Sequence, residues 1–303
     1  MQKKISTLLM YVFFLFIGSG EIVFAQQSDS PQGDKVVRVL AIGNSFSQDG
    51  IENYLHELAE AAGIKMIIGN LYIGGASLAL HVDNIRGDKA KYSYRKIGAN
   101  GEKNITPDTK ISDVLSEEKW DFISLQQVSG FSGKLNSYEE SLPELYAYVL
   151  EHVSNPEEVR MVLHQTWAYQ QDSDHKNFAN YNNDQSQMYE AISSTSEKVL
   201  RLENFDRIVP AGTAIQNART SYIGDHYTRD GYHLELNYGR FTAACAWFET
   251  LFGKDVRKNT FIPASVTEIE AKISKEAAHQ AVLNPFEISE LLEFQVEEAT
   301  ESN

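Results

Sequence analysis

Residues 36–47 read VVRVLAIGNSFS. The first seven are apolar apart from Arg38, the pattern of a strand buried on both faces. Gly43-Asn44-Ser45-Phe46-Ser47 follows at once, and residues 49–62 (DGIENYLHELAEAA) then place apolar side chains at helical spacing until Gly63 stops them. The unit recurs, with strands at 65–73, 121–125, 159–163 and 207–209 and helices at 77–85, 138–153, 184–202 and 234–252. Parallel strands joined through helices of this length need right-handed crossovers, which put helices on both faces of the sheet. The expected fold class is therefore α/β, a three-layer α/β/α sandwich around a parallel five-stranded sheet. In such sheets, sites form where the strands end, at their carboxyl termini.

Two segments fall outside the alternation. Residues 89–109, with Tyr92, Tyr94 and a turn at Asn100-Gly101, read as a hairpin inserted into a domain spanning 36–258. Residues 259–303 read as a helical C-terminal extension, with one amphipathic helix at 266–278 and an acidic end. At the other terminus, Lys3 and Lys4 precede an uncharged apolar run and then Val23, Phe24 and Ala25. This is the pattern of a Sec signal peptide over 1–25 cut after Ala25, with 26–35 as a flexible tether, so a secreted or periplasmic location is expected. The apolar run at 5–17 is short against the roughly 20 residues of a membrane span, so no anchor is expected after cleavage. The only cysteine is Cys245, which excludes both an internal disulfide and a lipoprotein.

The net charge of −15 becomes −16 on loss of Lys3, Lys4 and Glu21 with the leader. A surface this acidic disfavours nucleic acid and anionic membranes as partners. Oligomeric state is not legible in the sequence.

Four short segments carry chemistry, each at a strand end or just before a helix. Ser45 in GNSFS sits where a helix begins, a placement that suits a nucleophile, although a serine there can equally cap the helix and a glycine turn can hold phosphate. The elbow G-x-S-x-G is not met, because Ser47 takes the place of its second glycine. Gly74-Gly75-Ala76-Ser77-Leu78 opens the next helix; it is a tight turn with Ser77 as cap, or a place where Gly75 N–H can meet a developing oxyanion. Gln126-Gln127 end the third strand with two amides that are possible further donors. Asp230-Gly231-Tyr232-His233 precedes the last core helix, and a base histidine needs one ring nitrogen held by a partner such as a carboxylate.

Other histidines compete for that role. His226 follows Asp225, but adjacent residues rarely share one target. His164 and His81 suit packing or support, and Cys245, among Ala243, Ala244 and Ala246, suits core filling. No His, Cys and Asp set at ligand spacing accompanies Asp230 and His233, so no metal or organic cofactor is expected.

Together the blocks GNSFS, GGASL, LQQ and DGYHL, in this order between Val36 and Phe252, resemble the SGNH (GDSL-like) hydrolase superfamily. They look like a group of secreted SGNH-like proteins of Gram-negative bacteria. The resemblance implies the SGNH-hydrolase fold with a flavodoxin-like sheet, and a serine hydrolase acting on ester bonds. Ser45 maps to the nucleophile, Asp230 and His233 to the rest of the triad, and Gly75 to the oxyanion glycine. Asn44 replaces the Asp of G-D-S, and LQQVSG stands where the family has G-x-N-D. The amide donor is accordingly carried onto Gln127, with Gln126 as its rival. A secreted member with Tyr92, Tyr94, Trp167, Tyr169 and Tyr181 in loops suggests a sugar-stacking rim. A carbohydrate O-acetylesterase acting on glycans is the leading expectation. A lipid or short-chain acyl esterase is the alternative, and an inactive glycan-binding protein on the same scaffold is the third.

Overall fold

The computed structural model describes residues 36–296, which form one compact unit. The expected leader and tether lie outside the described residues. Five parallel strands, β1 (Val37–Gly43), β2 (Met66–Tyr72), β5 (Phe122–Leu125), β6 (Arg160–His164) and β7 (Arg207–Val209), are joined by two antiparallel ones, β3 (Tyr92–Ile97) and β4 (Lys103–Thr109). The sheet order is β4-β3-β2-β1-β5-β6-β7. The sheet thus has seven strands where five were expected. The hairpin is not a detached insertion: β3 hydrogen-bonds to the edge of β2, which would otherwise expose a row of unpaired backbone groups. Its turn lies at Asn100-Gly101, where Gly101 takes φ +78°.

β1 lies between β2 and β5, and its alternate side chains enter different cores. Val39 and Ala41 join one apolar cluster and Leu40 and Ile42 the other. The chain leaves β1 toward β2 on one side and later returns to β5 on the other, which makes the carboxyl end of β1 the switch point where a cleft opens.

The helices are α1 (Ser45–Ile51), α2 (Leu55–Ala61), α3 (Leu78–Arg86), α4 (Ile111–Leu115), α5 (Leu135–Glu139), α6 (Leu142–His152), α7 (Gln185–Leu202), α8 (Ala211–Ala218), α9 (Tyr238–Phe252) and α10 (Glu268–Leu283). The single helix expected at 49–62 is two. Tyr54 takes the left-handed conformation (φ +66°) between them, and Glu52 turns inward to an ion pair with Arg95 and a hydrogen bond from Asn70. The helix expected from 234 begins only at Tyr238, because Leu234 is used in a bridge to Thr228. All eight residues of α8 are buried, and its polar side chains Thr213, Gln216 and Asn217 are taken up internally by Gln165, Gln185 and the Ala277 carbonyl.

Helix α10, capped by a reciprocal Thr267–Glu270 box, puts Ile273, Ala277 and Ala281 into the same core as α8 and α9. The part of the C-terminal stretch that forms α10 is therefore built into the domain. Among the described residues, no helix is long and apolar enough to cross a membrane.

Candidate active site

The turn after β1 is held by Asn44. Its Oδ1 accepts from Phe46 N at 2.9 Å and from Gln126 Nε2 at 2.9 Å, while its Nδ2 donates to Ala76 O at 2.8 Å. One buried amide thus caps α1 and ties the GNSFS turn to the GGASL turn. Gly43 is required by close approach, since a Cβ there would lie 2.7 Å from Ser47 Oγ and 3.0 Å from Gln126 Cδ. Ser47 is buried and donates toward Asn44 O and Asn70 Oδ1, so it is structural. Ser45 is half-buried and opens α1, where the first N–H groups have no acceptor within the helix.

The Asp230–His233 segment is a self-bonded turn. Asp230 Oδ1 accepts from His233 N at 2.8 Å and Tyr232 N at 3.3 Å, and Oδ2 lies 2.7 Å from His233 Nδ1. With Nδ1 donating to the carboxylate, Nε2 carries the free lone pair. Partial burial pushes the Asp230 carboxyl up, but hydrogen bonds from the His233 ring and backbone outweigh it and leave the group below the ordinary aspartate range.

Two ties fix this turn against α1. Asp49 is fully buried; its Oδ2 accepts from Arg229 Nη1 at 2.9 Å and from Leu234 N at 3.0 Å, and its Oδ1 pairs with Arg240 at 2.7 Å. Phe46 stacks on Trp167 with ring centroids 4.3 Å apart, and Trp167 Nε1 donates to Tyr232 O at 2.8 Å.

Ser45, Gly75 and His233 line one cavity of about 260 Å³, together with Asn44, Phe46, Tyr72, Gly74, Val128, Ser129, His175 and Tyr232. Gly75 has φ +66°, and a Cβ built on it would meet nothing within 4 Å, so its backbone faces open space. Ser45 Oγ and His233 Nε2 share this cavity without a hydrogen bond between them; such bonds often tighten only when substrate is bound. Two other cavities, of about 240 and 360 Å³, are lined by residues of 254–276 together with Phe294 in one and Ala61, Ala62 and Phe248 in the other, and have no serine or histidine in their linings.

The glutamines are placed differently from the expectation. Gln127 Nε2 donates to Ser137 O and Oγ at 3.1 and 3.0 Å, and its Oε1 accepts from Leu78 N and Val128 N. Gln126 Nε2 serves Asn44, and its Oε1 lies 2.8 Å from His164 Nδ1. Both are buried internal ties and neither lines the cavity, so the amide donor assigned to Gln127 or Gln126 is not found there. The rim expected from Tyr92, Tyr94, Trp167, Tyr169 and Tyr181 is corrected likewise, because all five are buried. The aromatic side chains at the cavity are Phe46, Tyr72 and Tyr232.

The competing histidines separate clearly. His226 is exposed, and Asp225 is occupied by Arg219 at 2.9 Å and by Gln171 N at 2.8 Å. His164 and His81 are fully buried, and desolvation pushes them down to about 3 and about 4. Cys245 is buried as core filler, its thiol pushed up by desolvation.

Two residues near the site escaped the sequence reading. Asp49 looked like an ordinary polar position at the start of a helix. His175 lies in a loop whose composition carries no periodicity. Among the described residues, Glu249, Asp255 and His279 are close enough to hold a metal, within 4.8 Å of one another, but Arg257 pairs with Asp255 and none of the three lines the cavity.

Residues 38–281 match the family described as a domain of unknown function (DUF4886), and the chain belongs to that family. A crystal structure of a DUF4886 family protein from Bacteroides uniformis is 50% identical, covers 86% of this chain and 100% of its own, and superposes with a TM-score of 0.84. The chain also matches a candidate SGNH hydrolase from Slackia heliotrinireducens (20% identity, 72% of this chain and 100% of that one, TM-score 0.45). An acetylxylan esterase from Geobacillus stearothermophilus is matched at 12% identity, over 70% of this chain and 93% of that one, with a TM-score of 0.46. No curated protein matches the chain.

Proposed function

We propose that the chain is an SGNH-type serine esterase with Ser45 as nucleophile, and that its substrates are short acyl esters of carbohydrates, O-acetyl groups above all. The observation that carries this reading is the Asp230 Oδ2–His233 Nδ1 contact of 2.7 Å beside a cavity that Ser45 also lines. In the proposed reaction, His233 Nε2 takes the proton of Ser45 Oγ as the oxygen attacks the ester carbonyl. The oxyanion is met by the N–H groups of Ser45 and Gly75, and collapse expels the alcohol, which receives the proton from His233. Water then adds to the acyl-serine by the reverse sequence and releases the acid. No step needs a metal or an organic cofactor.

The cavity lining supports a short acyl group on a neutral alcohol. Among the described residues Val128 is the only aliphatic side chain that lines it, and a cavity of about 260 Å³ suits a short acyl group. Among the described residues no Lys or Arg lines it, which suits a neutral alcohol better than an anionic one. Tyr72, with Arg95 covering one face of its ring, and Tyr232, packed against His175 and His233, are both half-buried and leave a sugar ring only their remaining exposed surface to stack on. Export across the inner membrane under the leader at 1–25 belongs to the same proposal. The test is acetate release from a panel of acetylated glycans, run beside medium-chain esters for wild type and Ser45→Ala. Equal activity of the two proteins on every ester ends the serine-esterase reading, and a preference for medium-chain esters moves the substrate to lipids.

A further inference from the structure

Of the two histidines lining the cavity, His175 is the one that the proposed reaction leaves without a task. Its Nδ1 accepts a hydrogen bond from Asn177 N at 3.2 Å, and a backbone N–H can only donate. The ring proton of neutral His175 is therefore on Nε2. That N–H has no protein acceptor among the described residues, while the ring is gripped between Tyr169 and Tyr232 at centroid distances of 4.8 and 4.7 Å. A half-buried donor on a ring packed between two tyrosines at the wall of a cavity is available to a ligand acceptor.

The location narrows which part of a ligand it meets. His175 touches Tyr232, the neighbour of His233, and sits close enough to His233 and Asp230 to feel their charges. Gly75 and Ser45, whose N–H groups the proposed reaction assigns to the oxyanion, come from the turns after β2 and β1, whereas His175 comes from the loop after β6. The side of an ester nearest a base histidine is the leaving alcohol, which that histidine must protonate. Burial, Lys176 and His233 together hold His175 below its ordinary value, which keeps it a neutral donor at neutral pH.

We propose that His175 is a substrate-specificity residue: its Nε2–H donates to an oxygen of the alcohol part of the substrate, such as a sugar hydroxyl or ring oxygen next to the ester. The inference rests on the reading of Ser45 as an esterase nucleophile. It makes the second histidine a selector of polyol esters, distinct from the triad.

Two substitutions separate the donor from the ring's structural role. His175→Asn keeps an acceptor at the Nδ1 position for Asn177 N and deletes the Nε2 donor; His175→Gln keeps an amide N–H near the Nε2 position. The measurement is the ratio of kcat/KM for an acetylated xylo-oligosaccharide to that for 4-nitrophenyl acetate, whose alcohol part has no neighbouring hydroxyl. The ratio should fall about tenfold in His175→Asn, through KM of the sugar ester, and recover at least half of that loss in His175→Gln. An unchanged ratio in both variants overturns the inference while leaving the esterase reading standing. Loss shared equally by the two esters also overturns it, because the ring would then act on the reacting atoms. Wild-type protein inert on both esters removes the esterase reading, and the inference with it.

Discussion

Asp49, four residues after Ser45, accepts a 2.9 Å hydrogen bond from Arg229, which stands four residues before His233. One buried carboxylate therefore connects the helix that Ser45 opens to the turn that carries His233. Removing one partner from a buried ion pair leaves the others uncompensated, at about 3–5 kcal/mol. Asp49→Ala should lower the melting temperature by about 10 °C in a domain of this size. Asp49→Asn, which keeps the shape, should lower kcat by roughly tenfold or more with KM little changed, because small misplacements of the base are costly. Native melting together with native kcat in both variants would remove Asp49 from this role.

The triad assignment predicts a ranking. Ser45→Ala and His233→Ala should each reduce turnover on the order of 10³-fold or more, with circular dichroism unchanged. His226→Ala should cost far less, since His226 is exposed and Asp225 is engaged by Arg219. A fluorophosphonate should label the peptide that contains Ser45. Label found on Ser77, which caps α3, would place the nucleophile in the wrong turn.

The two neighbouring glutamines should fail in different assays. Gln127→Ala breaks ties to Ser137, Leu78 and Val128 in a buried position, so stability should drop by about 2 kcal/mol while kcat stays within about threefold. Gln126→Ala frees the Asn44 amide that joins the Ser45 and Gly75 turns, and kcat should fall by about tenfold or more. Chemical denaturation beside steady-state kinetics reads both, and the opposite pattern would return the donor role to Gln127.

Stability should fall with acidity in a defined window. His164 and His81 are neutral in the fold, with values pushed down to about 3 and about 4, whereas unfolded histidines titrate near 6.5. Between these limits the unfolded chain binds more protons, so stability is full above about pH 6.5 and is lost as the pH falls toward about 4. Each histidine contributes up to about 1.4 kcal/mol per pH unit there. Melting temperatures from pH 7.5 to 4.5 should decline for the wild type and decline less steeply for His81→Asn. Equal slopes would show that His81 is not buried neutral.

The fold was legible where burial leaves a periodic trace. Val36–Ile42, the strand-helix alternation and the hairpin turn at Asn100-Gly101 were visible, and so was the DGYH turn, because Asp230 and His233 contact each other locally. What escaped notice depends on distant partners. Nothing near residue 89 shows that β3 will add to β2, a pairing set by a free sheet edge formed elsewhere in the chain. The amides of Gln126 and Gln127 look available at a strand end until Asn44 and Ser137, far off in sequence or on another element, take them up. The five aromatics looked like rim residues because loops are usually exposed, yet Trp167 and Tyr169, in the loop after β6, turn inward and join the core.

The appended hairpin also determines where the sheet stops. β4 is the outermost strand, and its first six residues are exposed. Pro107 removes one backbone donor from that border, and Asp108 takes a left-handed conformation (φ +49°). Between the pairings Tyr94↔Thr106 and Tyr92↔Thr109, two residues of β4 stand opposite one of β3, so the border bulges. An incoming strand from another molecule would meet a missing donor, a kink and a charge in succession. At the opposite border β7 is only three residues long. Both margins are thus poor templates for edge-to-edge polymerisation, and a hairpin that enlarges the sheet also terminates its growth into aggregates.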